Sequence, residues 1–431
     1  MMVLLLLLVL GQAWGQPAPA PPVPPMVVSY PDALDRAKRF SLQAIQANYN
    51  ALVAREQRIQ ARDALLPTVS NLDQFIYTRP NGTPTGVFIS ANAPREYLSW
   101  IVTQGDIYSP IKLAEHRKAI AAQAVARARL DVAHRGLIAT VAQNYYNLAG
   151  ALRKIRYYET ALTDALSFES IATKQEAAGE VSHVDVVKAQ LLVETRRIEL
   201  QNAIATAEKA RFEFSVLLFV DYMQNYAVVD DLEPPRPLPS LADIRTMAGT
   251  NNPEIRAAIE LVHEQRAAKS LARAELLPHF SSFYIYGIDS DRLARRTPFL
   301  QPNLGSQVSA QMNLLVWNWG ATFSRIRQAN YRLQQARAEL SLTQRQLLAN
   351  VDAFYVEADT AGGLLASLRR AADLAAESLR LFTLRYEAGE ATVLEVVDAQ
   401  NLLLLARNNV VDGLVRYRVA LANLQVLTGI F

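Results

Sequence analysis

The chain is 431 residues long and 51% hydrophobic, with 44 basic residues against 41 acidic ones for a net charge of +3. Charges so evenly balanced and interleaved give no reason to expect a nucleic-acid partner. With no cysteine there are no disulfides, no thiolate metal sites and no lipid-bearing N-terminal Cys, a usage that fits an exported protein.

Residues 1–15 read as a signal peptide. The apolar run VLLLLLVL starts at Val3, and Ala13 and Gly15 supply small residues at −3 and −1 for a cut before Gln16, although no Lys or Arg precedes the run. The run is too short to span a bilayer as a helix. Residues 16–30 form a Pro-rich leader, with PAPAPPVPP over 17–25 reading as extended polyproline. Nowhere else is there an uninterrupted apolar stretch of about 18 residues, so the mature chain is not a helical membrane protein.

Proline then maps the rest. None occurs in 111–233 or beyond 302. An interior proline costs a helix about 3 kcal/mol, so these gaps can hold long helices, and Ala, Leu, Arg, Gln and Glu dominate them. One helix is expected over 31–66. Strands are expected within 67–108, where Leu98, Trp100 and Val102 alternate. A helical arm follows from Pro110 to Ala178, continuous or slightly interrupted near Ala149–Gly150, and a return arm runs from Ser182 to Phe219. Residues 220–239, rich in Pro and acid, link to a second series. That series has a helix over 240–277, strands within 278–318 (Tyr284 and Tyr286; Val308 through Val316), and a hairpin over 321–427 with Gly362–Gly363 as its weak spot. The loops after Arg79 and Ile288 are too long for tight hairpins.

The two series repeat each other. Residues 176–190 read EAAGEVSHVDVVKAQ and residues 386–400 read YEAGEATVLEVVDAQ, with Gly179 over Gly389 and Ala189–Gln190 over Ala399–Gln400. The same offset of about 210 pairs Arg117 with Arg327 and Tyr145 with Tyr355, and an LLP ends at Pro67 and again at Pro278. A unit this long is a duplicated half-protein and not a solenoid repeat. The structural repeats are therefore 31–219 and 240–431. At each repeated turn Gly179 or Gly389 is placed for a left-handed helix C-cap. Ser182 or Thr392 follows as N-cap, and Asp185 or Glu395 completes capping-box spacing. Four strands cannot close a membrane barrel, which needs about eight, and an open edge cannot sit in lipid. If these strands lie in a membrane, several chains share one barrel.

On these residues the chain resembles the TolC-type outer-membrane efflux proteins, across essentially its whole mature length. The resemblance implies a mainly α fold with a small β part. Duplicated long helical hairpins and four transmembrane strands per chain would build a homotrimer with a 12-stranded barrel and an α-helical periplasmic tunnel. It further implies a bacterial outer-membrane location, contact with outer-membrane lipid, and partners in an inner-membrane pump (RND, ABC or MFS type) and a periplasmic adaptor. The expected function is a passive exit duct of a tripartite efflux or type I secretion system, gated by iris-like opening of the helical tips. By the same resemblance Glu395 and Asp398 are aperture candidates, and Asp185 and Tyr386 are tip-latch candidates. Ala391 stands where the best-known member has a latch arginine, and Trp317–Asn318–Trp319–Gly320 departs from the usual Pro-Phe before glycine. For Glu395 and Asp185, helix capping is the competing role. Asp398 lies beyond the capping box and faces Lys188 in the repeat, so its competing role is an ordinary solvated helix face. Trp100, Trp317 and Trp319 are membrane-interface candidates.

No catalytic signature competes. His116, His134, His183, His263 and His279 are scattered without metal spacing, and there is no phosphate loop, dinucleotide fingerprint or G-x-S-x-G elbow. No enzyme activity and no cofactor are expected. The alternative readings are a periplasmic helical-hairpin adaptor, which normally carries a single hairpin, and a coiled-coil scaffold, which leaves the aromatic strand regions unexplained.

Overall fold

The computed structural model describes residues 25–78, 95–233, 238–293, 295–296, 302 to 429. The signal peptide, most of the Pro-rich leader, the centres of both strand-pair loops and Phe431 lie outside the described residues. In chain order the elements are β1 (Met26–Val28), α1 (Tyr30–Phe40), α2 (Leu42–Asp63), β2 (Thr68–Tyr77), β3 (Arg95–Tyr108), α3 (Pro110–Ala177) and α4 (His183–Leu218). There follow β4 (Tyr226–Val228), α5 (Leu241–Asn251), α6 (Pro253–Ala274), β5 (His279–Ser290), β6 (Leu304–Asn313), α7 (Ala321–Glu387) and α8 (Val393–Thr428). The halves match element for element: α1 and α5 have 11 residues each, α2 and α6 have 22, α4 and α8 have 36, and α3 and α7 have 68 and 67.

Local chemistry sets the boundaries. Ser109 accepts a bond from Lys112 N, with Pro110 in the first turn of α3, where a missing N–H costs nothing. Ser29 and Asp32 form a complete capping box on α1. Each single helix expected before a strand pair is in fact two. Ser41 is extended between α1 and α2. Asn252, likewise extended, caps α6 through bonds from Glu254 N and Ile255 N. The physical cause in the second case is Pro253, which pushes the preceding residue out of the helical region.

After the polyproline run, residues 26–28 of the leader form a strand, because β1 pairs in parallel with β4 of the linker, Met26 opposite Tyr226 and Val28 opposite Val228. Of the two readings of the first arm the continuous one holds, and α7 likewise runs unbroken through Gly362–Gly363. A Cβ on Gly150 would stand 2.8 Å from Val415 Cγ2, one on Gly413 2.7 Å from Leu368 Cδ1, and one on Gly362 3.0 Å from Tyr417 Cε2. These glycines let α3, α8 and α7 approach closely.

The second sheet has the order β2-β3-β5-β6, antiparallel throughout, with β2 and β6 at its edges. On the helical layer, α3 packs with α4 and α8, and α8 with α7. One face of this layer carries a cover. Val28, Ala33 and Ala37 pack with Leu137, Val141, Tyr145 and Tyr146 of α3, Phe214 of α4 and Val411 and Leu414 of α8. Ile244 and Ala248 of α5 pack with Val351 and Ala358 of α7 and Leu424 of α8. The linker is strapped to the same face. Asp230 accepts from Arg153 (2.6 and 3.0 Å) and Arg156 (2.7 Å), Asp231 pairs with Arg418 (3.0 Å) and Glu233 with Arg369 (2.7 Å). Burial alone would raise the Asp230 pKa, but the bonds from Arg153 and Arg156 outweigh it and hold the carboxyl below its ordinary range. The opposite face of α3, with Asn144, Asn147, Ala151, Lys154 and Tyr158, is bare and lines an open depression of about 680 Å³ shared with α4 and α8.

Gly150→Ala is expected to lower stability by about 1–3 kcal/mol through overpacking. Gly136→Ala, in the same helix with nothing within 4 Å of the added Cβ, should raise stability by about 0.5–1 kcal/mol. Thermal unfolding of the purified variants reads both signs.

Candidate functional site: the paired hairpin tips

Both repeated turns fold alike. Gly179 (φ 79) and Gly389 (φ 76) are left-handed. Gly179 N–H donates to Glu176 O and Glu180 N–H to Gln175 O, at 2.8 and 2.9 Å. Gly389 N–H donates to Tyr386 O and Glu390 N–H to Arg385 O, at 3.0 and 2.8 Å. This is the paired 6→1 and 5→2 pattern that satisfies the last carbonyls of a helix.

The next helix starts differ. Thr392 and Glu395 form a complete capping box, Glu395 Oε2 accepting from Thr392 N at 2.7 Å and Thr392 Oγ1 accepting from Glu395 N at 3.4 Å. The bond from Thr392 N–H first, and one donated by the Thr392 hydroxyl to Glu395 Oε2 at 3.0 Å second, lower the Glu395 pKa. The box expected at Ser182 and Asp185 does not close. Ser182 Oγ instead donates to Asp185 Oδ2 at 2.9 Å, and Lys188 Nζ lies 3.5 Å from Asp185 Oδ1. Asp185 N–H donates to Ser182 O at 3.0 Å, so the serine hydroxyl caps no backbone N–H.

The two tips share one apolar cluster. Ala165, Phe168 and Ala172 of α3 and Val186, Ala189, Leu192 and Val193 of α4 meet Tyr386 of α7 and Val393 and Val396 of α8, with Ala391 packed at the margin. Tyr386 is buried, its ring 4.9 Å from Phe168. Gln175 Nε2 donates to Tyr386 O at 3.2 Å, a cross-hairpin bond that the sequence reading missed because a glutamine on a helix carries no signature. The two latch candidates are near each other but not bonded. Burial first and the Asp185 charge second raise the Tyr386 pKa, yet the Tyr386 hydroxyl has no hydrogen-bond partner. Asp185 is committed to Ser182 and Lys188.

Of the aperture candidates, Glu395 serves its own helix. Asp398 is exposed. It lies 14 residues before Asp412, about four helical turns, and therefore shares a helix face with it. Asp412 lines the open depression, so Asp398 is on the bare face of the helical layer.

Among the tryptophans, Trp317 and Trp319 follow β6 and are 72% and 89% exposed, their rings 5.9 Å apart and near-perpendicular. Trp100 is inside β3, opposite Leu72 and Gly287. Strand period two puts it on the face of Leu98, Val102 and Gln104, away from the exposed apolar row of Val69, Phe75, Ile101, Tyr284, Tyr286, Val308 and Met312. Trp100 therefore does not share a face with that exposed apolar row. Among the described residues no cluster of three His, Asp or Glu is placed to hold a metal ion, and no helix is long and apolar enough to cross a membrane.

Comparison with known proteins agrees with this geometry. Residues 245–430 match the family model described as outer membrane efflux protein. The chain is 24% identical over 292 residues to the outer membrane protein OprJ of Pseudomonas aeruginosa, an alignment spanning 67% of this chain and 60% of OprJ. It is 25% identical over 304 residues to the cobalt-zinc-cadmium resistance protein CzcC of Cupriavidus metallidurans, spanning 69% of this chain and 67% of that one. The fold superposes on the outer membrane protein VceC of Vibrio cholerae with a TM-score of 0.79 at 17% identity, covering 93% of this chain and 96% of VceC.

Thr392→Ala is expected to cost about 1 kcal/mol and to speed amide exchange in the first turn of α8. Ser182→Ala should change exchange in α4 far less, because no backbone bond is lost. Tyr386→Phe removes an unpartnered buried hydroxyl, so stability should hold or rise, by up to about 1–3 kcal/mol. Hydrogen exchange and thermal melting check the three variants.

Proposed function

We propose that this chain, whose residues 245–430 match the outer membrane efflux protein family model, is the outer-membrane exit duct of a tripartite efflux or type I secretion system. Substrates would pass through it passively, from periplasm or pump to the exterior. The observation that carries this reading is the sheet. It has four strands, two open edges and an exposed face of Phe75, Ile101, Tyr284, Tyr286, Val308 and Met312. The other face carries Ser70, Gln74 and Gln104 beside Leu98, Trp100 and Val102 on the first strand pair, and Gln307, Ser309 and Gln311 along β6. An exposed apolar face backed by one richer in polar residues fits a membrane barrel, and lipid forbids the open edges. A homotrimer meets both demands, with β6 of one copy beside β2 of the next and twelve strands in the ring. Trp317 and Trp319 then sit at the periplasmic interface of the lipid.

The helices carry the same message. α2, α4 and α7 expose Leu52, Val53, Val187, Leu191, Tyr331, Leu348, Leu374 and Leu381, apolar flanks that neighbouring copies would cover. A cover layer placed inside a tube would plug it, so the strapped face of α3 and α8 is the outside and the bare face lines the tunnel. Asp398 then points to the lumen near the tip, where three copies form a cation-favouring ring. Opening would part the tips in an iris-like motion, with an inner-membrane pump and a periplasmic adaptor engaging at that end. An adaptor identity would leave the second hairpin and the amphipathic sheet without a role.

The test is fractionation and single-channel recording. The protein should sediment with outer membrane and migrate as a heat-labile trimer. Asp398→Ala should weaken cation preference and block by divalent cations in planar bilayers. Unchanged selectivity and block would remove Asp398 from the aperture, and absence of any pore would remove the conduit.

A further inference from the structure

The geometry points to Arg196 and Asn401 as the tie that holds the two hairpins of one chain together above the tip, and that must break for the conduit to open. The inference rests on the conduit reading and adds a residue pair to its gating.

Arg196, in α4, is 2% exposed and stands first among the largest fully buried side chains. Its Nη1 donates to Glu199 Oε2 at 2.7 Å, and its Nη2 donates to Asn401 Oδ1 of α8 at 2.5 Å, while Nε has no partner. α4 and α8 belong to different halves, and each packs mainly on α3 or on its own hairpin partner. The guanidinium thus reaches across where apolar packing between the two helices is sparse. Its one anionic partner among the described residues, Glu199, is 36% exposed and lines the open depression.

As a stabilising device this is a poor choice. A buried cation with incomplete pairing can be replaced by apolar side chains at no loss, and such groups are retained best where they set a register or a switch. A guanidinium suits a contact that must release. When α8 moves away, the cation exchanges Asn401 for water, whereas a parted apolar contact would expose surface with no compensation. The repeat sharpens the point. The offset that matches the turns puts Ala406 opposite Arg196 and Leu191 opposite Asn401. Neither half can reproduce the tie, so it exists once per chain, between the first hairpin and the second.

The full-length protein in planar bilayers tests it. Arg196→Met keeps the length and apolar volume of the side chain, so trimer assembly and melting temperature should hold. Resting open probability should rise about tenfold, equivalent to about 1.4 kcal/mol. Asn401→Asp gives the guanidinium a carboxylate partner and should lower resting open probability below the parent's. Combining Arg196→Met with Asn401→Leu should add little to either alone. Unchanged open probability in both single variants, or fully additive effects, overturns the inference while leaving the conduit standing. A parent protein that forms no pore overturns the conduit and this gating role together. Amide exchange still reads the tie itself: Arg196→Met should speed exchange over residues 183–200 and 393–405, and unchanged rates there would show that no tie exists.

Discussion

The two halves of the chain are held together where α3 of the first meets α6 and α8 of the second and where β3 pairs with β5, and the closest helix approach among these is that of α3 and α8 at Gly150. Gly150 lets Val411 and Val415 nest against α3, and Gly413 makes room for Leu365 and Leu368 of α7. A side chain at either glycine would push the helices apart, and the covering cluster of Val28, Tyr145, Phe214 and Leu414 would lose its floor. The acidic linker tightens the same level from outside through Asp230, Asp231 and Glu233. Partly exposed ion pairs contribute little individually, about 0–1 kcal/mol each. Packing therefore supplies the energy, and the arginines choose where the linker lies. Tyr145 completes the strap by donating to Val229 O at 2.8 Å.

Long periodic elements were legible because their ends carry chemistry that few residues can supply. The expected arm from Pro110 to Ala178 is α3, Pro110–Ala177, and the expected return from Thr392 is α8, Val393–Thr428. Proline at the start, left-handed glycine at the end and Ser or Thr after it leave little freedom. What escaped depends on contacts distant in sequence. β1 and β4 are three residues each, too short for a period to register, and each is a strand only because the other is there. The alternation around Trp100 gave strand and parity but not which parity faces outward. That requires the register across β2, β3 and β5. The helix split at Asn252 was within reach, since Pro253 is plain in the sequence. The break at Ser41 has no such marker.

The tip shows what duplication does to a helical turn. The backbone of the turn is the same twice, down to the left-handed glycine and its two reverse bonds, so the duplicated element is a shape. The side chains on that shape have diverged. Glu176 of the first turn reaches His183 at 2.8 Å across its own hairpin, a polar clasp on the surface. The equivalent positions in the second turn are Tyr386 and Val393, and both are buried in the shared cluster. One tip is thus self-contained, and the other is an apolar wedge seated between α3 and α4.

That division bears on how the two hairpins are joined. A wedge held by Phe168, Val186 and Leu192 on the apolar side needs a polar counterpart if it is to release in water without exposing its whole contact. Gln175 bonding to Tyr386 O at the tip, Arg196 bonding to Asn401 three turns along α4 and Asn408 donating to the Tyr158 hydroxyl of α3 at 3.2 Å are polar links of this kind between the first hairpin and the second, whose groups water can satisfy when they part.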